Sequence, residues 1–338
     1  MSVPFTQMAT EALYYHSKEM ADLISSQISI VGVLGARNRI KIITGGLGWR
    51  ERVFYGTSVN AGHRSPRAAV PTEYGENMTM AQYDPAFYSD AVVVNKVEVA
   101  QAKGEHALGD LLEDSWTVSK TYAATKIATD LWASSQANSN YPIPLRVFIP
   151  DTATASQTGT NRGGIDSSDN SWWRSQYYGD AMADLGATAG LRILQQNVNK
   201  CSRSSAKVSK PDFALTTSAL FSRIASTMDT NRRYIKDEKI AKLGFEHLEY
   251  LGMSILWDSL CPAKHFYILN TRKLNIKCLK MPHMQNINVN ENQYSLPMVI
   301  EPMRDDLDTF SYISLLGLSY QVTCNDVAGL GVLANCTE

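Results

Sequence analysis

Residues 43–90 read ITGGLGWRERVFYGTSVNAGHRSPRAAVPTEYGENMTMAQYDPAFYSD, and this stretch decides the fold. Gly45, Gly46 and Gly48 open it. Trp49, Val53, Phe54 and Tyr55 follow, and Pro66, Pro71, Tyr74, Tyr83, Pro85, Phe87 and Tyr88 punctuate the rest. The apolar and aromatic residues are scattered and set no sustained helical stripe. A loop longer than about 12–15 residues is uncommon inside a compact domain. A disordered linker would be poor in aromatics. The stretch therefore reads as an extended arm, two limbs of a long hairpin, whose aromatic residues find partners on another chain. That points to an assembly protein before any catalytic motif is weighed.

Outward from the arm, residues 8–30 carry a mixed helical pattern (Ala12, Leu13, His16, Met20, Leu23, Ile24) that Gly32 and Gly35 should interrupt. Ile40, Ile42 and Ile43 around Lys41 predict a short strand entering the arm. On the other side, β-branched density predicts a strand from Ala91 to Val99. The longest helical signal follows. Leu108, Leu111, Leu112, Trp116, Ser119, Ala123, Ile127 and Leu131 fall three and four apart, on one face. A helix over Glu105–Ala133 would be a rod of about 45 Å, packed against a sheet on one side. Residues 134–171 read as loop with short strands. A second helix is expected over Asp180–Asn199, and a strand over Asp212–Leu215. A helix over Ala219–Met228 should be capped by Ser218. Later strands are expected near Phe245–Leu256, His265–Asn270, Leu274–Leu279 and Ser311–Val322, the last paired with Val327–Leu333. The class is α+β, without an internal repeat.

Composition excludes several functions. The chain has 338 residues, 44% hydrophobic and 19% charged, with a net charge of −1. It carries no overall electrostatic signature for nucleic acid or anionic membrane. No run approaches the roughly 18–20 apolar residues of a membrane span, and Met1–Met8 lacks a signal-peptide layout. The cysteines (Cys201, Cys261, Cys278, Cys324, Cys336) are odd in number and widely spaced, which reads as reduced thiols in a cytoplasmic compartment. There is no phosphate loop, nucleophile elbow, HExxH or EF-hand pattern. The histidines are scattered, so no cofactor and no metal is expected. Asp305, Asp306 and Asp308 read as a solvated turn. The basic run Arg232, Arg233, Lys236, Lys239 and Lys242 reads as a solvated or intersubunit face that leaves room for non-specific contact with packaged nucleic acid. Trp172-Trp173-Arg174 reads as packing, with Arg174 as an intersubunit partner, or as a platform for base stacking.

Several segments together resemble a known family: Gly45-Gly46; Gly163-Gly164-Ile165-Asp166 through Trp172-Trp173-Arg174; and Asp212-Phe213-Ala214-Leu215-Thr216-Thr217-Ser218-Ala219-Leu220-Phe221. Lys242-Leu243-Gly244-Phe245, Trp257-Asp258, Cys261-Pro262 and Ile268-Leu269-Asn270-Thr271 continue the match in order. The chain resembles the major capsid protein of tailed double-stranded DNA bacteriophages, the fold first seen in phage Hong Kong ninety-seven, from about residue 38 onward. The resemblance implies an N-terminal arm (1–43), an extended loop (44–90), a peripheral domain (91–174) with a spine helix over 105–133, an axial domain (175–285), and a return to the peripheral domain (286–338). No long charged helical segment precedes the fold, so a separate scaffolding protein, or none, is expected.

The function so implied is a non-enzymatic shell protein. It self-assembles through pentamers and hexamers into an icosahedral container for double-stranded DNA. Its place is the virion, built in the host cytoplasm, with portal, scaffolding or decoration proteins as partners. Intersubunit contact is expected at Trp49, Arg50, Arg52, Phe54, Tyr55, Arg64, Arg67 and Tyr74 of the loop, and at Arg174. Each large aromatic buried there would contribute about 1.5–3 kcal/mol. The alternatives are a cellular nanocompartment shell of the same fold and a monomeric enzyme with an unrecognised site.

Overall fold

A computed structural model describes residues 28–56, 60–73, 75–101, 105–153, 161–179, 184–185, 187–202, 210–228, 248–281, 296, 299–301, 303–306 and 310–337. The first helix, α1 (Ser29–Ala36), runs through both Gly32 and Gly35, against expectation. All its residues are buried, so tertiary packing outweighs the helix-weakening effect of glycine. It ends on Asn38 at φ +57°. The Asn38 amide donates to the Gly35 carbonyl and the Arg39 amide to the Leu34 carbonyl, both at 2.8 Å, which satisfies the last carbonyls. The helical pattern before it falls on residues 1–27, outside the described residues.

The strands β1 (Ile40–Ile43), β2 (Trp49–Phe54), β3 (Met78–Tyr83) and β4 (Ala86–Asn95) follow. β2 and β3 are the two expected limbs of a hairpin. β4 starts earlier than the valine density suggests and stops earlier too. Asn95 Oδ1 accepts the Val97 amide at 2.9 Å, which turns the chain into the short helix α2 (Lys96–Gln101). The long helix α3 spans Glu105–Trp132. Its described inward face is Trp116, Ser119, Ala123, Ala124, Ile127, Ala128, Leu131 and Trp132, which contains the expected stripe from Trp116 to Leu131; the side chains of Leu108, Leu111 and Leu112 lie outside the described residues.

Leu145–Phe148 is a single helical turn, α4, where loop and strand were expected. The hairpin β5 (Asn161–Arg162) and β6 (Ile165–Asp166) turns on Gly163 and Gly164. Both have positive φ, +63° and +79°, as a two-residue hairpin turn requires. β7 (Gln176–Tyr178) leads to α5 (Thr188–Cys201). This helix starts later than its apolar pattern implies. Ala187 is extended, and its amide donates to the Asp184 carbonyl at 3.1 Å. The preceding chain thus folds back on the first turn, where only a glycine at 190 leaves room for the Asp184 carbonyl. After β8 (Phe213–Thr216), α6 (Ser218–Met228) is capped one residue before the expected position. Thr217 Oγ1 accepts the Leu220 amide at 3.4 Å.

The remaining strands are β9 (Leu248–Tyr250), β10 (Met253–Trp257), β11 (Phe266–Leu269), β12 (Leu274–Leu279), β13 (Val299–Ile300), β14 (Arg304–Asp305), β15 (Ser311–Cys324) and β16 (Gly331–Leu333). They build two sheets. In the first, β15 pairs antiparallel with β4 from Ser311↔Asn95 to Tyr320↔Ala86, with β12 over Tyr320–Cys324, and with the short β13 and β14. β1 joins β12 in parallel. The second sheet has the order β7-β16-β11-β8-β10-β9. The expected pairing of residues 327–333 with β15 is not made. A 3₁₀ turn over Val327–Gly329 redirects the chain, and β16 joins β11 and β7 instead. The two sheets interleave along the chain, since β12 belongs to the first sheet and β16 to the second.

Both faces of the second sheet are covered, so its strands read as continuous apolar runs rather than alternating ones. Phe213, Leu215, Tyr267 and Leu269 face the main core, shared with α1, α3 and the first sheet. Ala214, Ile255, Phe266 and Ile268 face a second core under α5 and α6. Asp212 ties the two halves. It meets Arg37 at 2.5 Å and accepts the Thr271 amide at 2.8 Å and the Thr271 hydroxyl at 2.7 Å.

All five cysteines are buried and none is in a disulfide. Burial pushes the Cys201 and Cys324 thiols up to about 12, and raises Cys278 as well. In an unfolded chain a thiol titrates near about 8.5. The folded chain therefore holds protons that the unfolded chain gives up, so stability is full below about pH 8.5 and falls as pH rises towards 12. Each sealed thiol should remove about 2 kcal/mol at pH 10. Urea midpoints of the unassembled subunit at pH 7.5 and pH 10 check this; equal midpoints would show the thiols are not sealed.

Candidate assembly surface

Strand alternation divides the arm. Trp49, Val53, Ala81 and Tyr83 of the β2–β3 hairpin point inward and are buried. Arg50, Arg52, Phe54, Met78, Met80 and Gln82 point outward and are exposed. The inward face is rooted in the first sheet. The Tyr83 hydroxyl donates to the Cys324 carbonyl at 2.7 Å, and burial holds this phenol well above its usual range. Lys277 Nζ lies 2.8 Å from Glu51 Oε1, which also accepts the Thr323 hydroxyl at 3.0 Å. The Lys277 side chain is 8% exposed. Removing one partner of such a buried pair costs about 3–5 kcal/mol, so the root of the arm is fixed to its own sheet. The β5–β6 turn presses on the other side. Gly163 sits against the Tyr83 ring, and its carbonyl accepts the Gln82 amide at 2.8 Å.

Beyond the strands, the Asn60 side chain closes the tip. Its Nδ2 donates to the Glu73 carbonyl at 2.7 Å and its Oδ1 accepts the Glu73 amide at 3.0 Å. One side-chain amide thus reproduces the exchange of two backbone hydrogen bonds. Arg64 donates to the Asn60 carbonyl at 2.8 Å, and the Ala68 amide donates to the Ser65 carbonyl at 2.9 Å. Residues 61–70 between them are exposed throughout.

The expected contact residues separate accordingly. Trp49 is covered by its own chain, because it lies on the inward face; this corrects the expectation that its ring waits for a neighbour. Tyr55 stacks on Trp172 of the same chain, centroids 4.3 Å apart and planes within 10°. Arg174 donates to the Ser167 carbonyl at 2.7 Å and the Ser168 carbonyl at 2.8 Å. Trp173 is fully buried and donates to the Arg162 carbonyl at 3.1 Å. The double tryptophan is therefore a packing element. Arg50, Arg52, Arg64, Arg67 and Phe54 are exposed, Phe54 at 70%. Tyr74 and the basic run 232–242 lie outside the described residues. Met78 and Met80 were missed in the sequence, although they share the parity of Phe54 across the hairpin.

A second exposed feature lies between β4 and α3, a groove of about 540 Å³ lined by Asp90, Val93, Asp114, Val118, Ser119 and Tyr122 among others. Val93, Val118 and Tyr122 are 55%, 70% and 65% exposed. Asp90 Oδ2 accepts the Ser119 hydroxyl at 2.6 Å. Burial, and then the Asp90 charge, push the nearby Tyr88 phenol up to about 12. Val118 and Tyr122 are one turn apart and off the buried stripe, a pattern visible in the sequence. Among the described residues, no group of His, Cys, Asp and Glu is placed to hold a metal, and no helix is long and apolar enough to cross a membrane. The expected acidic turn is in part structural, since Asp305 pairs with Lys96 at 3.2 Å.

No protein-family model and no curated protein sequence matches the chain. Solved structures do. The capsid asymmetric unit of cyanophage A-1(L) superposes with a TM-score of 0.66 at 19% identity, over 91% of this chain and 93% of that one. The capsid of a native GTA particle gives 0.54 at 11% identity, over 90% of each chain. The SrpI encapsulin of Synechococcus elongatus PCC 7942 gives 0.52 at 11% identity, over 88% of this chain and 85% of that one. These likenesses each cover about nine-tenths of the chain, and the chain has the α+β fold of the phage major capsid structures, a fold that the encapsulin shares.

Proposed function

We propose that this chain is a non-enzymatic shell protein, the major capsid protein of a tailed phage, whose copies associate as pentamers and hexamers and close into an icosahedral container for double-stranded DNA. One observation carries the reading. On a fold shared with phage capsids, a hairpin rooted by a buried ion pair presents an outward face of Phe54, Met78 and Met80 beside Arg50 and Arg52. Exposed apolar area next to charge is what a subunit interface leaves open in the unassembled chain. On this reading the protein resides in the virion, is assembled in the host cytoplasm, and meets a portal, a separate scaffolding or decoration protein and, without base specificity, the packaged DNA.

The likeness to the encapsulin supports a second reading, a cellular nanocompartment of the same fold. Particle contents separate the two, nucleic acid in one and a protein cargo in the other. Purified chain, with and without a co-expressed scaffolding partner, is examined by negative-stain electron microscopy and light scattering. Closed shells, or rings of five and six, are expected. A uniform monomer under both conditions would overturn the shell reading.

A further inference from the structure

Sulfur is distributed unevenly over this fold. All five cysteines are buried. Among the described residues Met228, Met253 and Met303 are buried as well, and Met281 is partly buried. Met78 and Met80 differ, at 44% and 47% exposed. They lie two residues apart on β3, so the strand turns both to the same outward face. The hairpin register sets Met78 opposite Phe54 and Met80 opposite Arg52. Opposite side chains on one face of such a pair lie within contact range, and a thioether beside an aromatic ring is a favourable pair. The exposed methionines of the described residues are thus gathered in the face that the hairpin offers to another subunit.

We infer that Met78 and Met80 form an oxidation-sensitive site, and that conversion of these two thioethers to sulfoxides by a peroxide holds the subunit in its unassembled form. The inference rests on the shell reading and adds a regulation of the same face. In the reaction the peroxide O–O bond breaks and an S–O bond forms; sulfur gives up two electrons and water leaves. The product is polar and chiral where the thioether was apolar and flexible. Its oxygen accepts hydrogen bonds, and at Met80 it lies opposite Arg52, whose guanidinium can donate to it. An arginine drawn onto its own strand no longer serves a partner. A sulfoxide carried into an interface without a donor loses its hydration uncompensated. The fold is spared, because neither sulfur belongs to either core. Methionine sulfoxide reductases, one for each epimer, return the thioethers, so the block is reversible.

The test starts from the full chain, unassembled and treated with hydrogen peroxide. Peptide mass spectrometry follows each methionine with time. Met78 and Met80 are expected to gain oxygen at least about tenfold faster than Met228, Met253 and Met303, whose burial withholds the sulfur from solvent. The subunit concentration at which light scattering appears should rise at least about tenfold on oxidation, and return to within about twofold of its first value after treatment with both reductases. Circular dichroism should be the same throughout. The Met78→Leu/Met80→Leu chain is compared with itself before and after peroxide, and its threshold should move by less than about twofold. A doubly oxidised chain that assembles like the untreated one would overturn the switch, as would an equal loss of assembly in the leucine chain after peroxide. Met78 and Met80 oxidising no faster than the buried methionines would overturn the site itself. If the untreated chain forms neither shells nor rings, the shell reading fails and the switch with it, while the oxidation rates still decide the site.

Discussion

Trp116→Asp should leave no soluble folded subunit. The Trp116 side chain is 1% exposed and lies in the main core between α3 and the first sheet. Removing a buried tryptophan side chain alone costs about 3–5 kcal/mol. A carboxylate in its place adds the penalty of an unpaired buried charge. Together these approach the whole stability of a folded domain, about 5–15 kcal/mol. Val118→Asp is the matched control, since Val118 sits on the same helix but is 70% exposed; it should express and melt like the natural chain. Soluble fraction and circular dichroism decide the comparison. A folded Trp116→Asp subunit would show that the buried face of α3 was wrongly assigned. Leu112→Asp is expected to behave like Trp116→Asp from the sequence stripe, although the Leu112 side chain lies outside the described residues.

Replacing residues 61–72 by Gly-Gly between Asn60 and Glu73 should have the opposite character: an intact subunit and no closed shells. The Asn60 clamp already holds these two positions together, so a short turn spans them without altering the β2–β3 register. Shortening the loop reduces its closure entropy, a change of about 1–2 kcal/mol in the stabilising direction. Thermal unfolding of the unassembled subunit should therefore be unchanged or slightly higher. Electron microscopy should show the loss of particles. Normal shells from this variant would remove the tip from any part in assembly.

The arm, the long helix and most strands were legible because their patterns are local. A stripe at helical spacing and a glycine-opened aromatic stretch need no knowledge of distant residues. What failed was set by distant partners. α1 persists through two glycines because the core surrounds it. β4 extends back to Ala86 because β15 offers a long edge. β16 leaves the strand next to it in sequence and joins the other sheet through a 3₁₀ turn. Exposure was half legible. Of the residues expected at an intersubunit contact, Arg50, Arg52, Arg64, Arg67 and Phe54 lie at the surface of the chain. Trp49 does not, since strand parity, rather than aromatic character, decides which ring faces the core. The groove escaped notice because β4 and α3 form it jointly.

The pairing of β4 with β15 also governs when the fold can form. Asn95 and Ser311 are partners across more than 200 residues of chain. On a ribosome adding about 5–20 residues per second, β4 waits about 10–40 s for its neighbour. The backbone edge of β4 that β15 later pairs is meanwhile open, the kind of template on which nascent chains aggregate. Such non-local pairing also places the protein among slow folders. A cell making this chain in quantity must therefore shelter the waiting strand, and expression slowed by low temperature or supplied with a holding chaperone should recover more soluble subunit than rapid synthesis does.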